Sequence, residues 1–264
     1  MGRKVQHNNI VTDELLSQVN QENIELGKDF LDYLRSIDRS PNTIDAYAND
    51  LKIFWVYLLL HCNNKFFIDL SKREISKYQS YCLTEWKWSP ARMRRVKSTL
   101  SSLSNYVESM LDDEFENFKP IIRKIENPVN EKVFTKTVLE DSQLEELLDI
   151  LVEKGKYDKA CILSLAMNSG RRKSELPRFK VSYFDDENII YGSLYKTPEQ
   201  IKTKGRGSRG KRLTCYTLSK PFKPYFDMWM NYRKENRIES EWLFPKKVGG
   251  KYIDEPMESK TLDS

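Results

Sequence analysis

Two serine–proline pairs, Ser40-Pro41 and Ser89-Pro90, each head a run in which apolar residues return at every third or fourth position. A serine hydroxyl caps the free N–H groups of a first helical turn, and a proline there loses no hydrogen bond. After the first pair come Ile44, Tyr47, Leu51, Phe54 and Leu58; after the second come Met93, Val96, Leu100, Leu103, Val107 and Met110. Each is one stripe of an amphipathic helix. A shorter face, Phe30, Leu31 and Leu34, precedes them, and Ser71 to Glu85 supplies another helix. The pattern predicts a four-helix domain over 23–118, after a flexible or partly helical lead-in over 1–22. Residues 119–136 hold two prolines and mixed charge without a period, which reads as a linker.

The remainder, 137–264, changes character. Helices are expected from Asp141-Ser142 onward (Leu144, Leu147, Leu148, Leu151), over Tyr157 to Asn168, and over Ser219 to Arg237. Between them Phe179 to Phe184, Asn188 to Tyr195 and Arg209 to Leu218 are rich in aromatic and β-branched residues and read as strands, with a turn at Asp185-Asp186. The fold class is therefore α+β, with helices around a small antiparallel sheet.

Charge distribution says more than the net charge of +5. Segment 86–97 holds five cations and no acid, and segment 201–212 holds six and no acid. Arg92, Arg94, Arg95 and Lys97 crowd the start of a helix, where cations oppose the macrodipole and repel one another. That cost points to an anionic partner, double-stranded DNA. The acidic run 112–117 should face away from it. Four scattered cysteines without a CxxC pair suit reduced, buried thiols, and no clustered ligands suggest a metal. No apolar run approaches a membrane span and no signal core opens the chain, so a cytoplasmic protein is expected, without cofactor or small-molecule substrate.

The stretch Ile162 to Lys180 carries the chemistry. An apolar helix ends at Ser169-Gly170, where glycine can take the left-handed cap, two arginines follow, and Ser174-Glu175-Leu176 opens a further helix. An arginine beside a helix N-terminus can aim a rigid fork at phosphate. From the residues alone, a surface loop with two solvated arginines is the stronger reading.

Ser169-Gly170-Arg171-Arg172-Lys173-Ser174-Glu175-Leu176 resembles the T-G-(L/M)-R-x-S-E-L motif of tyrosine-type site-specific recombinases, the phage integrases, with Arg171 in place of an apolar residue. The resemblance implies that Arg172 is the first catalytic arginine and that Glu175 helps hold the active site together. Ser40, Thr43, Ile44, Tyr47, Asp50, Leu51 and Phe54 likewise resemble the family's SAM-like core-binding domain. In the family this domain and the catalytic one clamp a duplex, which implies DNA contacts for Thr43, Arg92, Arg94, Arg95 and Lys97. Segment 201–218 resembles the family's lysine-bearing β-hairpin. Lys202 fits a K-T register and Lys204 a K-G register, and Arg206, Arg209, Lys211 and Arg212 would touch backbone phosphate.

By the same resemblance the reaction is metal-free: a tyrosine attacks the scissile phosphate, two arginines neutralise its oxygens, and a lysine protonates the departing 5′-oxygen. The second arginine belongs to an H-x-x-R box. No histidine follows His61, and the last tyrosine, Tyr252, lies too early to be the nucleophile. The expectation is a partial catalytic domain that binds DNA without cleaving it, with apolar surface left open for self-association. The alternatives are a non-catalytic regulator competing for integrase sites, and an α+β domain that binds protein.

Overall fold

The structure is a computed structural model describing residues 10–129, 138–203 and 211–263. The chain divides into two compact units, Met1–Thr135 and Lys136–Ser264, each with its own apolar core.

The first unit is built from helices α1 (Asp13–Ser17), α2 (Gln21–Ser36), α3 (Pro41–His61), α4 (Lys72–Thr84) and α5 (Pro90–Met110). The caps form where the sequence places them. Ser40 Oγ accepts the Thr43 N–H at 3.3 Å and Ser89 Oγ accepts the Arg92 N–H at 3.3 Å. On α4, Ser71 and Glu74 form a reciprocal capping box. The Glu74 carboxyl also takes the Lys65 ammonium at 2.7 Å; that hydrogen bond, with the cap, lowers its pKa from 4.5 to about 2. Phe30, Phe54, Tyr78, Val96, Leu100 and Leu103 are among the buried core residues, and each large side chain so removed from water contributes about 1.5–3 kcal/mol. Buried Asn23 is satisfied on both sides, donating to the Lys65 carbonyl at 2.8 Å and accepting the Phe67 N–H at 2.9 Å.

Three expectations change here. The lead-in, expected to be flexible or partly helical, contains helix α1 and is part of the first core: Val19 is buried, and Ile10, Val11, Leu15 and Leu16 pack beside it. The first part of the supposed linker belongs to the same core: Ile122 is buried in a 3-10 helix (Ile122–Lys124), flanked by Ile121 and Ile125. Residues 130–136 of the linker lie outside the described residues. Met110, the last member of the α5 stripe, is exposed.

The second unit contains α6 (Asp141–Glu153), α7 (Tyr157–Ser169) and α8 (Ser219–Glu235). Its strands are β1 (Ile189–Ile190), β2 (Leu194–Lys196), β3 (Ile201–Lys202), β4 (Arg212–Leu213), β5 (Tyr216–Leu218), β6 (Pro245–Val248) and β7 (Lys251–Pro256). All pairings are antiparallel: β1-β2-β5, with Tyr195 opposite Thr217, and the pairs β3-β4 and β6-β7. Phe179, Phe184, Phe222, Trp229 and Phe244 fill the core with α7. Arg233 is buried at the end of α8, donating to the carbonyls of Ser240, Trp242 and Leu243, and so pins the following segment. All four cysteines are buried and none is paired with another.

Here too the local reading shifts. The cap residue of α6 is Glu140 rather than Asp141 or Ser142, and its N–H donates to Gln143 Oε1 at 3.0 Å. The expected strand Phe179 to Phe184 is a 3-10 helix (Val181–Phe184), since Phe179, Tyr183 and Phe184 all turn into the core and do not alternate. Another 3-10 helix (Asp186–Asn188) stands where a turn was expected. The next strand is split into β1 and β2 by Tyr191 and Gly192, at φ 51° and 65°, the conformation of a tight hairpin turn. The strand expected from Arg209 resolves into β4 and β5, with Arg209 itself outside the described residues. After Ser174 only a 3-10 helix forms (Leu176–Arg178), because the chain then extends to bury Phe179.

Candidate functional site

The loop after α7 is fixed by its own residues. Gly170 closes the helix in the left-handed region, at φ 61° and ψ 25°, and its N–H returns to the Ala166 carbonyl. Arg171 folds back: its Nε donates to the Ser169 carbonyl at 3.1 Å and its Nη1 reaches Cys215 Sγ at 3.8 Å. A guanidinium at a helix C-terminus complements the dipole, which explains how a cation occupies a position expected to be apolar. Cys215 is buried, and burial holds its thiol above the ordinary range despite Arg171.

Arg172 and Glu175 meet directly. One Glu175 oxygen accepts the Arg172 backbone N–H at 3.2 Å, and the other accepts Arg172 Nη1 at 3.2 Å. The Glu175 N–H in turn donates to the Arg172 carbonyl at 2.8 Å. The Glu175 side chain is 2% exposed and that of Arg172 is 66% exposed. A buried carboxylate thus grips both the backbone and the head of an arginine whose fork faces water. Such an arrangement presents a planar, permanently charged donor set to an anion without first having to order it.

Arg178 continues the same segment, and its Nη1 donates to the backbone carbonyl of Lys202 on β3. It ties the Arg172 loop to the strand bearing the candidate lysine. Arg178 was not among the residues singled out from the sequence, where it is one of several cations between Arg171 and Lys180. Lys202 stands opposite Arg212 on β4, and the hairpin is closed by Thr203, whose N–H donates to the Lys211 carbonyl at 2.7 Å. Lys211 and Arg212 are exposed. Lys204, Arg206 and Arg209 lie outside the described residues. Behind β3, Glu199 accepts the Tyr183 hydroxyl at 2.6 Å and pairs with Lys180 at 3.1 Å, contacts that hold its carboxyl below the usual range.

The first unit carries its own cationic face at the start of α5. The Arg92 guanidinium lies 4.0 Å from the centre of the Trp88 ring, and its burial, with Arg95 beside it, lowers its pKa. Arg95 Nη2 contacts Asp50 Oδ1 at 2.7 Å, while Thr99 Oγ1 donates to Asp50 Oδ2 at 2.9 Å. Burial pushes the Asp50 carboxyl up, against the opposing pull of Arg95 and Thr99. Arg94 is exposed. Thr43 is half-buried at the start of α3, its hydroxyl 2.8 Å from Ser40 Oγ.

Lys97 departs from the expected cluster. It is 6% exposed, its ammonium donates to the Ile125 carbonyl, and burial lowers its pKa. Met93, Lys97, Leu100 and Ser104 share one helix face, all four buried, so Lys97 points inward and serves the fold.

A separate cavity of about 580 Å³ in the second unit is walled by Ile162, Trp229, Phe244, Tyr252, Met257 and Leu262. None of the candidate side chains lines it. Among the described residues no helix is long and apolar enough to cross a membrane.

Comparison with known proteins follows the same division. The family profile for the phage integrase N-terminal SAM-like domain matches residues 26–117, and that of the phage integrase family matches 137–264. The SPbeta prophage-derived recombinase-like protein YomM of Bacillus subtilis (strain 168) is 27% identical over 243 residues, covering 91% of this chain and 70% of the relative. A lambda integrase tetramer bound to a Holliday junction superposes with a TM-score of 0.60 at 15% identity, over 90% of this chain and 60% of that one. XerH site-specific recombinase bound to a palindromic difH substrate gives 0.56 at 16% identity, over 90% and 69%. At such identities the structures testify to the fold alone.

Proposed function

The chain belongs to the phage integrase family of tyrosine-type site-specific recombinases, and from that premise we propose that it binds duplex DNA and brings Arg172 to the scissile phosphate. The observation that carries the reading is the exposed Arg172 guanidinium held by the buried Glu175 carboxylate. Arg172 neutralises charge on the non-bridging oxygens, which is electrostatic stabilisation of the transition state. Glu175 acts on it as a positioning residue. The hairpin lysine, Lys202 or Lys204, protonates the departing 5′-oxygen. Arg92, Arg94 and Arg95, with Arg206, Arg209, Lys211 and Arg212, contact backbone phosphate, and that sets affinity rather than sequence preference. Lys97 is left out of this set.

XerH and lambda integrase, whose fold this chain shares, are bound to DNA in those structures, the lambda integrase as a tetramer, and the proposal carries that substrate class and assembly over to this chain. Within these 264 residues no histidine follows His61, so an H-x-x-R box is missing from them. The activity proposed for these residues is DNA binding without a phosphotyrosine bond.

The test is a nicked, labelled duplex run on native and denaturing gels. The expected complex weakens steeply with salt and disappears on denaturation. No complex at low salt overturns DNA binding, and a band that survives denaturation overturns the non-cleaving assignment.

A further inference from the structure

Arg92 and Arg95 are one helical turn apart at the positive end of α5, an arrangement that like-charge repulsion and the macrodipole both oppose. Trp88 supports Arg92 from below. Asp50 supports Arg95 from α3, and both its oxygens are engaged, one by Arg95 and the other by Thr99. The Asp50 side chain is 2% exposed, whereas Arg95 remains 51% exposed. Burying a carboxylate is costly unless it is paired, and a neutral residue of similar size would fill the same space. What a carboxylate adds is direction: it takes one edge of a planar guanidinium and turns the other edge outward.

The geometry points to Asp50 as a positioning residue for DNA binding, which from inside the helical unit aims Arg95 and balances the charge of Arg92, so that the two arginines meet a phosphodiester already ordered. This inference rests on the DNA-binding reading above and deepens it. Asp50 touches no DNA in this scheme and acts only through Arg95 and Arg92. Its negative charge is buried beneath Arg95, yet it raises affinity.

The experiment is a double-mutant cycle on the full chain, with affinity for a labelled mixed-sequence duplex measured across a salt series. Arg95→Gln should lower affinity roughly ten-fold, the scale of one charge-assisted contact, and reduce the salt slope by about one. Asp50→Asn should cause nearly the same loss and the same change in slope, and the double variant should bind no more weakly than either single one. Thr99→Val, which removes only the second hydrogen bond on Asp50, should lower affinity by a smaller factor and lose that effect in the Arg95→Gln background. It carries the test if Asp50→Asn fails to fold. Asp50→Asn binding as tightly as the parent, or more tightly, overturns the proposal, because Asp50 would then merely cancel a cation. Fully additive losses with an unchanged salt slope overturn it too, since they describe general damage to the fold. A parent chain with no salt-dependent affinity overturns the DNA-binding reading itself and this inference with it, a result that no variant is needed to recognise.

Discussion

The two units use one device at two ranges. In the second unit an exposed arginine, Arg172, leans on a carboxylate three residues away, Glu175; in the first, Arg95 leans on Asp50 across 45 residues. Both carboxylates are 2% exposed. The local version is also held by backbone: Glu175 keeps the Arg172 N–H whatever the side chain does. The long-range version has only side chains, with Thr99 as the second partner. Stability and site geometry are therefore separable in one unit and joined in the other. Around Arg172 the loop makes the site; around Arg95 the tertiary fold makes it.

Removing each arginine in turn separates the two arrangements. Arg95→Ala leaves the Asp50 carboxylate buried with Thr99 alone, and should cost about 2 kcal/mol, below the 3–5 typical of a fully buried pair because Arg95 is half exposed. Arg172→Ala should cost no more than about 0.5 kcal/mol. Hydrogen exchange resolved by helix measures both, reading α3 and α5 for the first and α7 for the second. Equal costs would mean that the local loop depends on its side-chain pair after all.

Acid separates carboxylates of the first unit in a similar way. Glu74 has its pKa lowered, to about 2, so its contribution is full above its ordinary 4.5 and is lost as pH falls toward 2. Asp50 has a raised pKa, so its contribution runs oppositely, present below its ordinary 3.8 and lost as pH rises through the folded value. Glu74→Gln should therefore remove on the order of 1–2 kcal/mol near neutrality and flatten the acid loss. Asp50→Asn should leave that loss in place. A parent unit that gains stability from neutrality down to pH about 2 would reverse this ranking.

On the local side, Gly170→Ala isolates backbone strain. A Cβ there meets nothing within 4 Å, and φ is +61°, so the cost should be close to the ~1 kcal/mol of a left-handed alanine and nothing more. Thermal denaturation checks it; a much larger loss would mean that the cap conformation is shared with the Arg172 turn.

The same contrast of range decides what could be read in the amino-acid order. Ser40, Ser89 and Gly170 announce helix ends because capping involves neighbours within one turn. Arg172 and Glu175 were legible only through the resemblance of residues 169–176 to a family motif, since the residues alone favoured a solvated loop. Asp50 was visible as a motif position, but nothing nearby in sequence says that Arg95 would cover it. Lys97 was counted as a surface cation, although its spacing from Met93 and Leu100 already placed it on the buried face of α5. Phe179 to Phe184 looked like a strand through aromatic content, yet three buried aromatics without alternation belong to a turn. Ile122 was hidden by the prolines and charges around it, which carry no period.

The smallest effect tests whether the local device is independent of its neighbours. Among the described residues Arg178 joins the Arg172 segment to β3 through the Lys202 carbonyl, an interaction at a partly exposed edge. Arg178→Gln should cost about 0.5 kcal/mol, the low end for a single hydrogen bond. The loss should be confined to the hairpin: amides of residues 201–203 exchange faster, while α7 and the turn at 172–175 keep their protection. Glu175 accounts for that independence, since its three contacts with Arg172 do not involve β3. If the turn loosens together with the hairpin, arginine and lysine are positioned as one body, and the contrast between a loop-made site and a fold-made site fails for the second unit.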